Sequence, residues 1–214
     1  MDPFVISENK INILVIENLK TFRSMVMNLL GQTQGKPGDF VISVNDKEIN
    51  IEKEVKVITD PFCEDINQKK VSNYINTAAG KAAIDSDLII KTKEMVSSIE
   101  SYIDKLTEEL PYRLTAKKDI TAEEIIKMAS LIIEEDDDLM SKISDLIRIA
   151  ADIMKFSCII FINVLSIFDK EEVIQLRKTA MYEHVRILFI EPKGIENYTA
   201  EDNIRIVDYD LCEI

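Results

Sequence analysis

The chain has 214 residues, 46% hydrophobic and 30% charged, the ordinary mix of a globular protein with one substantial core rather than of a disordered chain. Its formal net charge of −13 argues against a broadly basic nucleic-acid-binding surface, although an acidic protein can still present a basic groove. A single histidine, His184, and three widely separated cysteines, Cys63, Cys158 and Cys212, supply neither a His/Cys zinc pattern nor a C-x-x-C, and a reducing cytoplasm is the expected compartment.

The first residues lack the basic start and long apolar core of a signal peptide, so no export is expected. Residues 4–7 and 11–16 read as two strands joined by the polar turn Glu8-Asn9-Lys10, a hairpin pattern. Leu19, Phe22, Val26, Leu29 and Leu30 then recur at helical spacing, which predicts a helix over 18–34 that Gly35 and Pro37 end. Residues 40–43, 48–51 and 55–59 read as three further strands, the first two turning at Asn45-Asp46.

The centre changes character. From 84 to 110, Leu88, Met95, Ile99, Ile103, Leu106 and Leu110 approach a coiled-coil repeat, which Pro111 stops. Thr121 and Glu124 have the spacing of a capping box, and Met140, Ile143, Ile147, Ala150 and Met154 form one stripe over 138–155. These helices are expected to pack antiparallel as a protruding bundle. Beyond Phe156 the short apolar runs 158–162, 186–190 and 204–207 return, with a helix over 170–182 between the first two. Such runs suit a parallel sheet covered on both faces, and even the longest is too short to span a bilayer. The expected fold is an α/β head of residues 1–80 and 156–214, interrupted by a helical arm of residues 81–155.

An α/β head with a helical extension invites comparison with P-loop proteins. The stretch Gly31-Gln32-Thr33-Gln34-Gly35-Lys36-Pro37 is one residue short of G-x-x-x-x-G-K-[ST], with Pro37 where the Mg²⁺-binding hydroxyl belongs. The strand-to-helix loop 60–70 is the position expected for a phosphate loop, yet it has no glycine and carries Asp60, Glu64 and Asp65. The strand at 158–162 is followed by Asn163, which supplies no charge for a metal, and Glu191 before Pro192 is slight support by itself. No ATP or GTP hydrolysis is expected.

A metal-dependent nuclease is the alternative. Glu54-Val55-Lys56 has the E-x-K form, with Asp39 or Asp60 as partners, although the pattern is common by chance in a chain this rich in Glu and Lys and a solvated cross-strand ion pair is the favoured reading. His184 has no Ser or Cys nucleophile paired with it in the sequence and reads as a surface histidine at a helix end.

Four sets of residues occur in order along the chain. They are Ile16-Glu17-Asn18 with Phe22-Arg23; Gln34-Gly35 with residues 38–43; residues 57–62 leading to Asn67-Gln68-Lys69-Lys70; and Phe189-Ile190-Glu191. On these the sequence resembles the CRISPR-associated Csn-two family, the small accessory protein of type II-A spacer acquisition, in its shorter form. The resemblance implies a non-enzymatic homotetrameric ring that holds double-stranded DNA ends in a positively charged hole, without sequence preference, alongside other CRISPR adaptation proteins. It also implies a P-loop-NTPase-like head with a degenerate phosphate loop, and Ca²⁺ supporting the arrangement of head and arm.

Ca²⁺ takes six to eight oxygen ligands, and Asp119, Glu123, Glu134, Asp136 and Asp137 around the middle arm helix are the candidates, with Glu135 and Asp138 beside them. The same acids also suit helix N-termini. For DNA phosphate the candidates are Lys36, Lys53, Lys56, Lys69 and Lys70, with Lys117 and Lys118 less favoured. Lys69 and Lys70 lie within the matched residues, whereas the others rest on charge alone. Without tryptophan or an aromatic series for stacking, backbone contact with duplex is expected rather than single-strand recognition.

Overall fold

The computed structural model describes residues 3–44, 47–85, 88–116, 119–194 and 202–214. The expected turn at Asn45-Asp46 and the lysines Lys117 and Lys118 lie outside the described residues. The chain divides into two compact units, residues 1–66 with 135–214 and residues 67–134. The sequence reading set its boundaries at 80/81 and 155/156.

The first unit is built on five parallel strands, β1 Ile11–Ile16, β4 Val55–Ile58, β5 Cys158–Ile162, β6 Arg186–Glu191 and β7 Asn203–Val207, in the order β4-β5-β6-β1-β7. Every residue of β1 and β5 is buried. This is the reason their sequences run continuously apolar: a parallel sheet is covered on both faces, so neither face selects polar residues. One face carries Leu14, Ile16, Ile160, Ile162, Leu188 and Ile190, packed with Leu29 of helix α1 (Leu19–Thr33) and Ile51 of the short helix α2 (Ile51–Glu54). From the same strands, Phe161 and Phe189 stack with centroids 5.1 Å apart, and Phe168 meets Phe189 edge-on. Beside them helix α7 (Lys170–Tyr182), opened by the capping box Asp169/Glu172, buries Val173, Leu176 and Ala180, and helix α6 (Leu139–Ile149) packs against it.

Several expectations are corrected. Residues 4–7 form no strand, because β1 is hydrogen-bonded in parallel to β6 on one side and β7 on the other and has no free edge for a hairpin. Side chains hold that segment instead: buried Asn12 exchanges hydrogen bonds with the backbone of Ser7, and Asn203 donates to the Val5 carbonyl. Ile51, expected to end a strand over 48–51, instead opens a helix over 51–54, which Asn50 caps by accepting from the Lys53 N–H. The strands before it shrink to the two-residue pair β2 Ser43–Val44 and β3 Lys47–Glu48. Helix α6 belongs to the first unit rather than to the helical bundle, burying Met140, Ile143, Leu146 and Ile147.

The second unit contains helices α3 (Lys69–Ile84), α4 (Ile89–Glu108) and α5 (Ala122–Ala129). The α5 capping box forms as the sequence predicts. α3 packs closely on α5 at Gly80, where an added Cβ would stand 3.2 Å from the Glu123 Cβ. Asn67 closes the unit, exchanging two hydrogen bonds with the Ile133 backbone at 3.0 and 2.8 Å.

Candidate functional site

In an open parallel sheet, ligands are received beyond the carboxyl ends of the central strands. Here β1 lies inside the sheet, between β6 and β7, and passes to α1 through only Glu17 and Asn18. A loop that wraps phosphates needs several residues, and this turn has two. The Glu17 N–H donates to the Val207 carbonyl, and the Asn18 carbonyl oxygen caps α1 by accepting from Thr21 while its amide donates to Tyr209. The loop 60–70, expected to occupy the phosphate position, instead leaves β4 at the sheet edge and leads out of the first unit. Asp60 there accepts from the Phe62 N–H and caps a short 3-10 turn.

The remaining carboxyl ends are closed by the protein's own groups. Asn163, in a left-handed conformation with φ 55°, donates its N–H to the Ile190 carbonyl. Glu191, 1% exposed, accepts at Oε1 from the amides of Val164 at 3.0 Å and Leu165 at 2.9 Å. Burial pushes its carboxyl up from the ordinary 4.5, while the two N–H donors pull it back. Sequence reasoning gave Glu191 little weight. The signal available was a charged residue closing a continuous apolar strand, where only internal hydrogen bonds make the charge tolerable.

Gly31 to Phe40 is a helix stop. Gly35 has φ 78°, the Lys36 N–H donates to the Gly31 carbonyl and the Gly35 N–H to the Gln32 carbonyl, the paired bonds of a Schellman motif. The chain then doubles back along α1. The Gln32 side chain exchanges hydrogen bonds with both backbone groups of Phe40, and the Asn28 side chain accepts from the Asp39 N–H and donates to the Asp39 carboxylate.

The E-x-K arrangement does not assemble. Glu54 ends α2 and accepts from the Asn50 N–H, whereas Lys56 lies on β4 and pairs with Glu64 at 2.6 Å. Asp39 is engaged with Asn28 and Asp60 with its own turn. His184 is exposed and contacts Glu8 at 3.0 Å. The Cys63 thiol is pushed up by its hydrogen bond with Asp60 and that carboxylate's charge, and burial pushes Cys158 up to about 12, so neither is poised as a nucleophile.

Of the lysines proposed for DNA, Lys36 and Lys53 are exposed in the first unit and stand next in sequence to Gly35 and Glu52; a Cβ added at Gly35 would stand 3.3 Å from the Glu52 carboxylate. Lys56 is half-buried and paired. Lys69 and Lys70 are exposed in the first turn of α3, in the second unit. Charge is divided unevenly along the chain. Residues 67–134 hold ten Lys and Arg against eleven Asp and Glu, a net −1, and the rest of the chain holds sixteen against twenty-eight, a net −12.

The carboxylates proposed for Ca²⁺ divide between the two units. Asp119, Glu123 and Glu134 lie in the second unit, Asp136 and Asp137 in the first. Glu123 pairs with Lys127 at 2.9 Å, and Asp136 accepts from the Asp138 N–H. Among the described residues no three His, Cys, Asp or Glu side chains gather as a metal would require, so as arranged here these acids do not fit the ion.

The fold and its closed carboxyl edge define an α/β protein with a parallel sheet, a helical insertion and a strand-to-helix turn without a phosphate loop. Among the described residues no helix is long and apolar enough to cross a membrane. A family model described as CRISPR-associated protein (Cas_Csn2) matches residues 32–211, and the CRISPR-associated protein Csn2 of Streptococcus agalactiae is 25% identical over 199 residues, covering 91% of this chain and 86% of that protein. The chain belongs to the Csn2 family of CRISPR-associated proteins.

Proposed function

We propose that this protein is a non-enzymatic, sequence-independent binder of double-stranded DNA ends, acting as a homotetrameric ring in the cytoplasm and supporting spacer acquisition together with other CRISPR adaptation proteins. The observation that carries the reading is the Csn2 family match over residues 32–211. Its sheet unit is a P-loop-like head that has lost its phosphate loop. Support for that comes from the two-residue turn at Glu17-Asn18 and from Glu191, which spends its carboxylate on the protein's own amides. Duplex contact falls first to Lys69 and Lys70, which lie in the unit that carries little net negative charge.

Ca²⁺ enters as a separate proposal that requires the acids of 119–137 to be regrouped. Titration of Ca²⁺ into chelator-treated protein tests it, with heat and thermal stabilisation expected and silence in both refuting it. The main reading is tested by native mass measurement with and without a short blunt duplex, alongside competition between linear and closed-circular DNA. A tetramer that takes up linear duplex preferentially is expected. A monomer, or equal affinity for the two forms, would overturn the reading.

A further inference from the structure

Two short segments of the sheet unit flank one cleft, and each leaves a backbone edge open. Residues 3–7 alternate as a strand does, with Phe4 and Ile6 half-buried against the core and Pro3 and Val5 exposed. The odd-numbered residues all bond to one side: the carbonyls of Pro3 and Val5 accept from Arg205 and Asn203, and Ser7 exchanges two hydrogen bonds with Asn12. Phe4 and Ile6 therefore turn their N–H and C=O groups to the other side, where nothing among the described residues meets them. Residues 41–44 repeat the arrangement. The Ile49 N–H donates to the Ile42 carbonyl and Val44 pairs with Lys47, so Ile42 and Val44 face β3 while the backbone groups of Val41 and Ser43 face away from it, equally unmet. The cleft, lined by residues 3–6 and 41–44 and by Arg186, has a volume of about 480 Å³, within the roughly 300–1,000 Å³ usual for ligand clefts.

We propose that this cleft is a slot for one added strand, filled by the C-terminal tail of another protein that carries apolar residues at alternate positions and sets its terminal carboxylate on Arg186. The open N–H and C=O groups on the two segments can pair with both edges of an entering strand, where a lone exposed edge pairs with one. Every second side chain of that strand faces the core on which Phe4, Ile6 and Ile42 pack, which selects valine or isoleucine there. Arg186 marks the end of the slot. Of the described residues that line the cleft it alone is charged. Its Nη2 donates to Glu8, the residue after Ser7, at 3.1 Å, and Glu8 is shared with His184, so the rest of the guanidinium fork is left for a carboxylate. The slot goes beyond the DNA-end reading: it concerns contact with a protein, and its test contains no DNA, so its failure leaves that reading where it stands.

The test is fluorescence anisotropy of a labelled hexapeptide of alternating serine and valine, with valine at its free carboxyl end, titrated with the full chain. Saturable binding is expected, weakened at least about tenfold when the peptide's carboxyl end is amidated and when Arg186→Gln removes the guanidinium. Ser43→Pro removes an N–H that the fold leaves unused, at a strand edge where proline is tolerated, so urea unfolding should match wild type while affinity falls at least about fivefold. Ser43→Ala keeps that N–H and should bind as wild type does. No saturation up to about 1 mM chain would overturn the proposal, as would equal affinity for the acid and the amide, or a Ser43→Pro chain that binds unchanged. A disulfide-linked dimer formed on mild oxidation of Val41→Cys chains, with the exposed thiols removed by Cys63→Ser and Cys212→Ser, would put a second copy of this chain at the slot and also overturn it.

Discussion

Glu191→Ala removes the acceptor that serves the amides of Val164 and Leu165 inside the sheet unit. An unsatisfied buried N–H costs about 1–3 kcal/mol, and two are created, offset by relief from burying a carboxylate. The net loss should be about 2–5 kcal/mol, which in a chain of this size lowers Tm by about 5–15 °C. Glu191→Gln keeps a carbonyl oxygen for the same amides and removes the charge, so at neutral pH its stability should lie within about 1 kcal/mol of wild type. The pH dependence separates the two effects. A carboxyl whose folded-state pKa is raised holds its proton more tightly in the folded chain. Its contribution is therefore fully present in acid below the ordinary 4.5 and is lost as pH climbs through the raised value. The glutamine variant has no such loss and should gain on wild type as pH rises from acid to neutral. Urea unfolding followed by circular dichroism at a series of pH values measures both. An alanine variant within about 1 kcal/mol of wild type, or a glutamine gap that does not change with pH, would refute the reasoning.

Gly35→Ala should destabilise by about 1–2 kcal/mol, because φ 78° places a Cβ in the left-handed region and 3.3 Å from the Glu52 carboxylate; urea unfolding measures it, and Gly35→Asn should cost less. Lys69→Ala should lower the slope of log affinity for duplex against log salt by about 1, whereas Lys56→Ala, whose ammonium is paired with Glu64, should leave it unchanged; the reverse pattern would move the DNA contact to the sheet unit. Phosphate release from ATP or GTP with Mg²⁺ should stay at the no-protein background, and Mg²⁺ or Mn²⁺ should produce no cleavage of linear duplex; turnover in either assay would contradict a non-enzymatic protein.

Periodicity carried the helices and the central strands. Residues 158–162 and 170–182 were legible because an apolar run and a capped amphipathic helix each advertise themselves locally. The hairpin at 4–16 was misread because pattern says that a segment is extended without saying what sits at its edges, and both edges of β1 are taken by strands nearly two hundred residues away. The expectation of a phosphate loop after β4 fails for the same reason: strand order, which places β1 inside the sheet and β4 at the rim, is a long-range property. Glu54 and Lys56 looked paired at a two-residue spacing, but the Asn50 cap turns the first into a helix end before the strand begins.

The position of β1 has a consequence for synthesis. The first strand to leave the ribosome pairs with the last two, Asn12 with Leu188 and with Asn203, and no shorter-range partner is available to it. The sheet therefore cannot close until residues 203–207 have left the ribosome. Until residue 207 has emerged, a strand that is apolar but for Asn12 waits with at least one hydrogen-bonding edge open, and closing so long a loop is slow. A chain stalled or clipped before β7 is not a protein short of one edge strand. It is an unsealed template for the addition of foreign strands, which makes β7 a condition of solubility for β1.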